Sequence, residues 1–316
     1  MMKKIAEKIG VTLFLLCITT GGTLQAKDVR KSILAGTWYP GSPGELRKAV
    51  GNYLAEATPP IPSIPGGKLK AIIVPHAGYQ YSGPVAAYAY RLLEKRKFRR
   101  VILVGPSHRF AFRGISANLQ SGYETPLGVT PVDRDFARKL LDASPKISWV
   151  PSAHAYEHCL EIQLPFLQTV LQDFKIVPII MGEQDFSTCT LLANILARVI
   201  DHPEQTLLLA STDLSHYHRA KEARLLDMEF IKHVRNFDPE GLASSLAMGS
   251  CEACGGGPAV ATMLAARKLG ANSSIVLHYA NSGDVTGDYR RVVGYVSAAL
   301  FKKEEQPTAS GKGQCQ

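Results

Sequence analysis

The stretch Leu69-Lys-Ala-Ile-Ile-Val-Pro-His-Ala-Gly78 joins a short apolar run to a proline, a histidine and a glycine. A run of this length, rich in branched side chains and closed by Pro and Gly, reads as a strand covered on both faces. The pattern recurs in Val101-Ile-Leu-Val-Gly-Pro-Ser-His108 and in Leu207-Leu-Leu-Ala-Ser-Thr-Asp-Leu-Ser-His216. Further strand-like runs cover 176–180, 275–279 and 292–299. Helical spacing of apolar residues lies near 85–93, 136–141, 160–174, 191–200, 223–234 and 258–269. This alternation predicts an α/β fold, a central mixed or mostly parallel sheet flanked by helices. Ahead of it, Ser42-Pro-Gly-Glu45 supplies an N-cap, a proline at the first helical position and a capping-box glutamate for a first helix. Residues 59–67, with four prolines and two glycines, read as a connector.

In open α/β sheets the carboxyl ends of the strands border the ligand crevice. His76, His108 and His216 are all delivered there. One such histidine is better explained as a cap or a satisfied core residue; three together support either metal binding or acid/base chemistry. A second motif, Cys251-Glu-Ala-Cys-Gly-Gly-Gly-Pro258, sets Cys254 against the start of a helix, where the dipole is expected to lower its thiol pKa. Two plainer readings stand beside it: a buried small hydrophobe, and a disulfide between Cys251 and Cys254. In Glu157-His-Cys-Leu-Glu-Ile-Gln-Leu-Pro-Phe166 the sequence predicts the start of a helix, with His158 and Glu161 neighbours on one face and His158 turned either to the pocket or to solvent.

The composition of the 316 residues, 46% hydrophobic and 20% charged, excludes a disordered chain. Residues 1–26 carry Lys3, Lys4 and Lys8 ahead of an apolar run from Val11 to Thr19, then end Leu24-Gln-Ala26, the order of a secretory signal peptide. The apolar run is about half the roughly 20 residues a membrane span needs, so cleavage after Ala26 is expected, with export to a periplasmic or extracellular space and no stable span thereafter. The formal charge then falls from +9 to +7. The one dense basic cluster, Lys95, Arg96, Lys97, Arg99 and Arg100, precedes a strand and reads as a solvated face, not a nucleic-acid groove. Of the six cysteines, the five beyond the leader are too sparse for a disulfide scaffold. Residues 27–302 read as one domain and 303–316 as a disordered tail.

Taken together, these motifs, with Ala35-Gly-Thr-Trp-Tyr-Pro40 and Pro75-His-Ala-Gly-Tyr-Gln-Tyr-Ser-Gly83, resemble the Memo family, whose bacterial members are called AmmeMemoRadiSam system protein B. The resemblance runs from about Ala35 to Phe301. It implies a fold like that of class III extradiol dioxygenases and a pocket aligned with their non-haem iron site. It carries over His76, His108 and Cys254 as metal ligands, with cysteine where the dioxygenases place a carboxylate; Fe(II) and copper are the metals implied. It also implies His216 as an acid/base histidine with Asp213 to orient it, and Trp38 and Tyr81 at the pocket mouth. Three functions are then expected to compete. One is a metal-dependent oxidoreductase acting on an aromatic compound. The second is a non-enzymatic protein capturing a metal ion, a small aromatic group or a peptide in the same pocket. The third is a metal-independent hydrolase using Cys254 and His216.

Overall fold

The computed structural model describes residues 28–57 and 68–303. The expected leader, the connector and the tail beyond Lys303 lie outside the described residues. Four parallel strands form the centre of a nine-stranded sheet, in the spatial order Lys68–Val74, Thr206–Ser211, Arg100–Pro106 and Lys175–Met181. Antiparallel strands flank them: Val292–Lys302 beside Lys68–Val74, and Ile115–Ala117 beside Lys175–Met181. The sheet is therefore mixed, with a parallel heart.

The apolar runs are buried on both faces, and their alternation sorts the core into two layers. Ala71, Ile73, Ile102, Val104, Val177 and Leu208 face one side; Ile72, Val74, Val101, Leu103, Ile176 and Leu209 face the other. The first layer is covered by helices that include Phe186–Val199 and Gly256–Lys268, the second by helices that include Pro43–Glu56 and Tyr79–Arg91. Helix Gly256–Lys268 is buried from Gly256 to Ala266, and its small residues let it lie close to the sheet and to its neighbours. Ser42 caps the first helix as expected: its hydroxyl accepts from the Glu45 amide at 3.3 Å. The Glu45 carboxylate, however, accepts from the Ser42 hydroxyl at 2.9 Å, not from the cap amide. The basic cluster is partly neutralised, since Arg100 pairs with Asp133 and Asp201. Among the described residues, no helix is long and apolar enough to cross a membrane.

One expected helix is corrected. In place of a continuous helix over 160–174 there is a 3-10 turn, Glu161–Gln163, followed by the short helix Leu164–Val170. Pro165 lacks an amide proton and is tolerated only in a first turn, so the α-helix starts at Leu164. At its end Leu171 is extended and Asp173 has a φ of 50°. His158 consequently lies in a loop. Glu161 points elsewhere, into the segment 30–39: its buried carboxylate accepts from Arg30 at 2.5 Å, Ser32 Oγ at 2.8 Å, the Leu34 amide at 3.0 Å and Tyr39 Oη at 2.8 Å.

Candidate metal centre

Three neighbouring parallel strands end at the site. Lys68–Val74 leads to His76, Arg100–Pro106 to His108, and Thr206–Ser211 to Asp213. His158 arrives from the loop before Glu161. One ring nitrogen from each of His76, His108 and His158 lies within 4.8 Å of the other two, so the three can share an ion. Their ring centroids are 4.4–5.3 Å apart. Trp38 packs on His158 at 4.6 Å. The cavity they line measures about 550 Å³ and also receives Arg109, His216, Tyr217, Cys254 and Tyr295.

The protein fixes which nitrogen His76 and His108 offer. His76 Nδ1 lies 2.9 Å from Ser211 Oγ, which donates its single proton to the Cys159 carbonyl at 2.7 Å. Ser211 Oγ must then accept from His76, placing the proton on Nδ1 and leaving Nε2 as a lone pair. Gln163 completes the arrangement: its amide donates to Ser211 Oγ at 2.8 Å and to the Pro75 carbonyl at 3.0 Å. For His108 the partner is Glu157, whose carboxylate takes the His108 amide at 2.6 Å and lies 2.9 Å from Nδ1. The amides of His158 and Cys159 also donate to Glu157. Burial would raise this carboxyl, but the His108 bonds and the nearby His158 outweigh it and hold it at about 2. Burial holds His158 at about 3 and His76 well below the usual imidazole value, so both rings are neutral. His158 Nδ1 is buried without a hydrogen bond; Glu157 Oε1, at 3.3 Å, is too poorly aligned to supply one.

Cys254 stands beside this cluster. Its Sγ lies 3.0 Å from His76 Nε2 and 3.3 Å from the Asp213 amide. Gly255, next in sequence, allows this approach: a Cβ there would fall 2.3 Å from the Ser211 carbonyl oxygen. The expected lowering of the thiol pKa is corrected to a rise. Burial dominates and the Asp213 carboxylate adds to it, while the amide contacts at the helix start are too weak to compensate. Cys251 is a buried thiol of the apolar core, and both it and Cys254 are free, with no disulfide between them.

Two other expectations change. Asp213 makes no hydrogen bond to His216. Its carboxylate accepts the His76 amide at 2.7 Å, and burial raises it to about 6. Asp213 therefore shapes the turn that presents His76. The carboxylate next to the His216 segment is Asp227, fully buried, which accepts from the Ser215 amide at 3.0 Å and Tyr279 Oη at 2.7 Å. Tyr81 lies in an adjoining cleft that shares Trp38 and Ala77 with the histidine cavity. Sequence reasoning missed Glu157, Gln163 and Ser211 as the groups that set the imidazole tautomers. The first two stand inside the quoted Glu157 to Phe166 motif, and their density of polar residues within an otherwise apolar segment was the available signal.

Comparison with known proteins bears on the same residues. A family model described as Memo-like protein matches residues 30–299. A MEMO1 family protein of Methanopyrus kandleri is 35% identical over 281 residues, covering 87% of this chain and 99% of its own. One from Aquifex aeolicus is 38% identical over 269 residues, covering 85% and 97%. A solved structure, an uncharacterized protein JW3007 from Escherichia coli K12, overlaps with a TM-score of 0.48 at 14% identity, covering 73% of this chain and 99% of that one. The family model spans the strand ends, the histidine loop and the Cys254 turn alike, and the chain belongs to the Memo-like protein family.

Proposed function

We propose that the chain is a mononuclear metal-binding protein whose ion is held by His76 and His108, with Cys254 as third ligand and His158 within reach as a fourth. The observation that carries this reading is the set of three imidazoles with ring nitrogens within 4.8 Å of one another. The donor set fits a borderline metal: imidazole nitrogens and the Cys254 thiol converge, with Sγ 3.0 Å from His76 Nε2, and the buried Nδ1 of His158 has no hydrogen-bond partner. Imidazole with thiolate suits copper, iron or zinc. A bound ion would supply the charge needed to ionise Cys254, since burial keeps that thiol protonated in its absence.

A redox-active ion in this cavity would add Lewis acidity and electron transfer. The chain's own residues define the rest of the chemistry. Glu157 and Ser211 hold the imidazole protons away from the ion, Trp38 and Tyr295 line the cavity, and His216 stands in its lining as a proton carrier. This arrangement supports an oxidoreductase related to the extradiol dioxygenases, with Fe(II) or copper. One observation favours the second reading, a metal-binding protein without turnover: among the described residues no carboxylate hydrogen-bonds His216, which there lacks the partner a general base ordinarily has. The Cys254–His76 contact also has the outline of a nucleophile and base, but a thiol raised by burial beside Asp213 is a poor nucleophile.

Calorimetric titration of Fe(II) and of Cu(I) under anaerobic, reducing conditions tests the assignment. His76→Ala, His108→Ala and Cys254→Ala are each expected to weaken binding by more than about tenfold. His216→Ala is expected to bind as the parent does and to lose any metal-dependent dioxygen consumption. Parental affinity in all three ligand variants would remove the metal reading.

A further inference from the structure

Cys254 and His216 form a wall common to two cavities of opposite character. On one side is the histidine cavity, with Arg109 at its rim making no ion pair among the described residues. On the other is a larger cleft of about 870 Å³, bordered by helices Phe186–Val199, Pro239–Ala247 and Gly256–Lys268. Among the described residues its lining includes Leu214, Ala243, Leu246, Ala247 and Val260, and neither lysine nor arginine. The carboxylates that reach it are already engaged: Asp185 caps its own helix through Thr188, Glu240 pairs with Arg267, and Glu252 pairs with His218. A charged group entering this cleft would lose water and find no partner, which costs several kcal/mol. An apolar chain entering it loses only its contact with water, which is favourable. The cleft is also within the size range that buries most of a drug-sized ligand.

We propose that the two cavities are halves of one binding site for an amphiphile. Its anionic or chelating oxygen head occupies the histidine cavity beside Arg109, and its apolar tail crosses His216 and Cys254 into the larger cleft. The orientation follows from the division of charge, since the histidine cavity holds Arg109 and the three clustered imidazoles, whereas the described lining of the larger cleft holds neither lysine nor arginine. This inference rests on the metal reading above and adds the class of ligand.

Two hydroxamic acids test it on the full chain loaded with redox-silent Zn(II): acetohydroxamate, a chelating head alone, and octanohydroxamate, the same head with six more methylenes. In the parent, octanohydroxamate is expected to bind about tenfold more tightly or better, because its additional methylenes leave water for the apolar cleft. Ala247→Trp and Ala243→Trp, one helical turn apart, each fill the cleft, and in either folded variant the ratio of the two affinities is expected to fall towards one. A parent that shows no preference for the longer chain overturns the inference, as does a preference that survives in the folded tryptophan variants. Failure of the chain to take up Zn(II) at all is a different result, which removes the metal reading and this inference with it, whereas a zinc-loaded parent that binds neither hydroxamate overturns this inference alone.

Discussion

Glu157 is two per cent exposed and yet ionised, because four donors converge on its two oxygens. Its work is to keep the His108 proton on Nδ1, so Glu157→Gln is expected to lower metal affinity about 10–100-fold while leaving the helix content intact. Titration beside circular dichroism checks this; unchanged affinity would show that the His108 tautomer does not matter. Glu161, four residues on, is a different case. It is fully buried with Arg30 as its counter-ion and has no part in the cavity. Removing one member of a buried pair strands the other, so Glu161→Ala is expected to cost about 3–5 kcal/mol in denaturant unfolding. Both carboxylates were visible in one motif, but their division of labour was not. Helical periodicity put Glu161 beside His158, and only the proline-started helix turns them apart.

At the scale of elements, strands were the most legible part of the fold. Each of the six apolar runs became a strand, and for the four in the parallel centre of the sheet burial on both faces leaves no polar positions to blur the signal. What stayed hidden were the short pieces, such as helix Pro239–Ala247 and strand His216–His218, which are set by long-range partners. The same limit applies to the site. Histidines at strand ends were legible, whereas the hydrogen bond that Asp213 makes belongs to tertiary geometry and ran to His76 instead of His216. Two substitutions probe the elements directly. Ser42→Ala removes the cap of helix Pro43–Glu56 and is expected to lower stability by about 1 kcal/mol without touching metal affinity. Gly255→Ala would drive a Cβ against the Ser211 carbonyl oxygen, so it is expected to displace Cys254 and weaken metal binding. A Gly255→Ala protein with parental affinity would show that Cys254 is dispensable.

For the whole molecule, buried neutral histidines set the pH response. Burial holds His154 and His158 at about 3, against about 6.5 for an unfolded histidine; His76 is depressed in the same direction. A depressed folded pKa means stability that is complete above pH 6.5 and is lost as the pH falls, because the unfolded chain takes up protons that the folded one refuses. Asp213, raised to about 6, and Asp227, raised by its burial, act in the opposite sense but are two groups against the three histidines. The metal-free protein is therefore expected to unfold at lower urea concentration at pH 5.5 than at pH 7.5. Equal midpoints would contradict the burial of these rings. Export is the remaining proposal at this scale: mass spectrometry of material from the native host is expected to find a chain starting at Lys27, and an intact Met1 would dismiss it.

The chain has two tryptophans, and their placement makes the molecule its own optical probe. Trp38 rests on His158 inside the histidine cavity, while Trp149 lies 5.2 Å from His154, outside it. In Trp149→Phe the whole indole emission would come from the cavity wall. A paramagnetic ion arriving at the three imidazoles should extinguish that emission in proportion to occupancy, and the spectrum of the apo protein should return on chelation. Quenching of this kind needs no substrate and no knowledge of the reaction, so site occupancy can be followed in a cuvette before any catalytic assay exists.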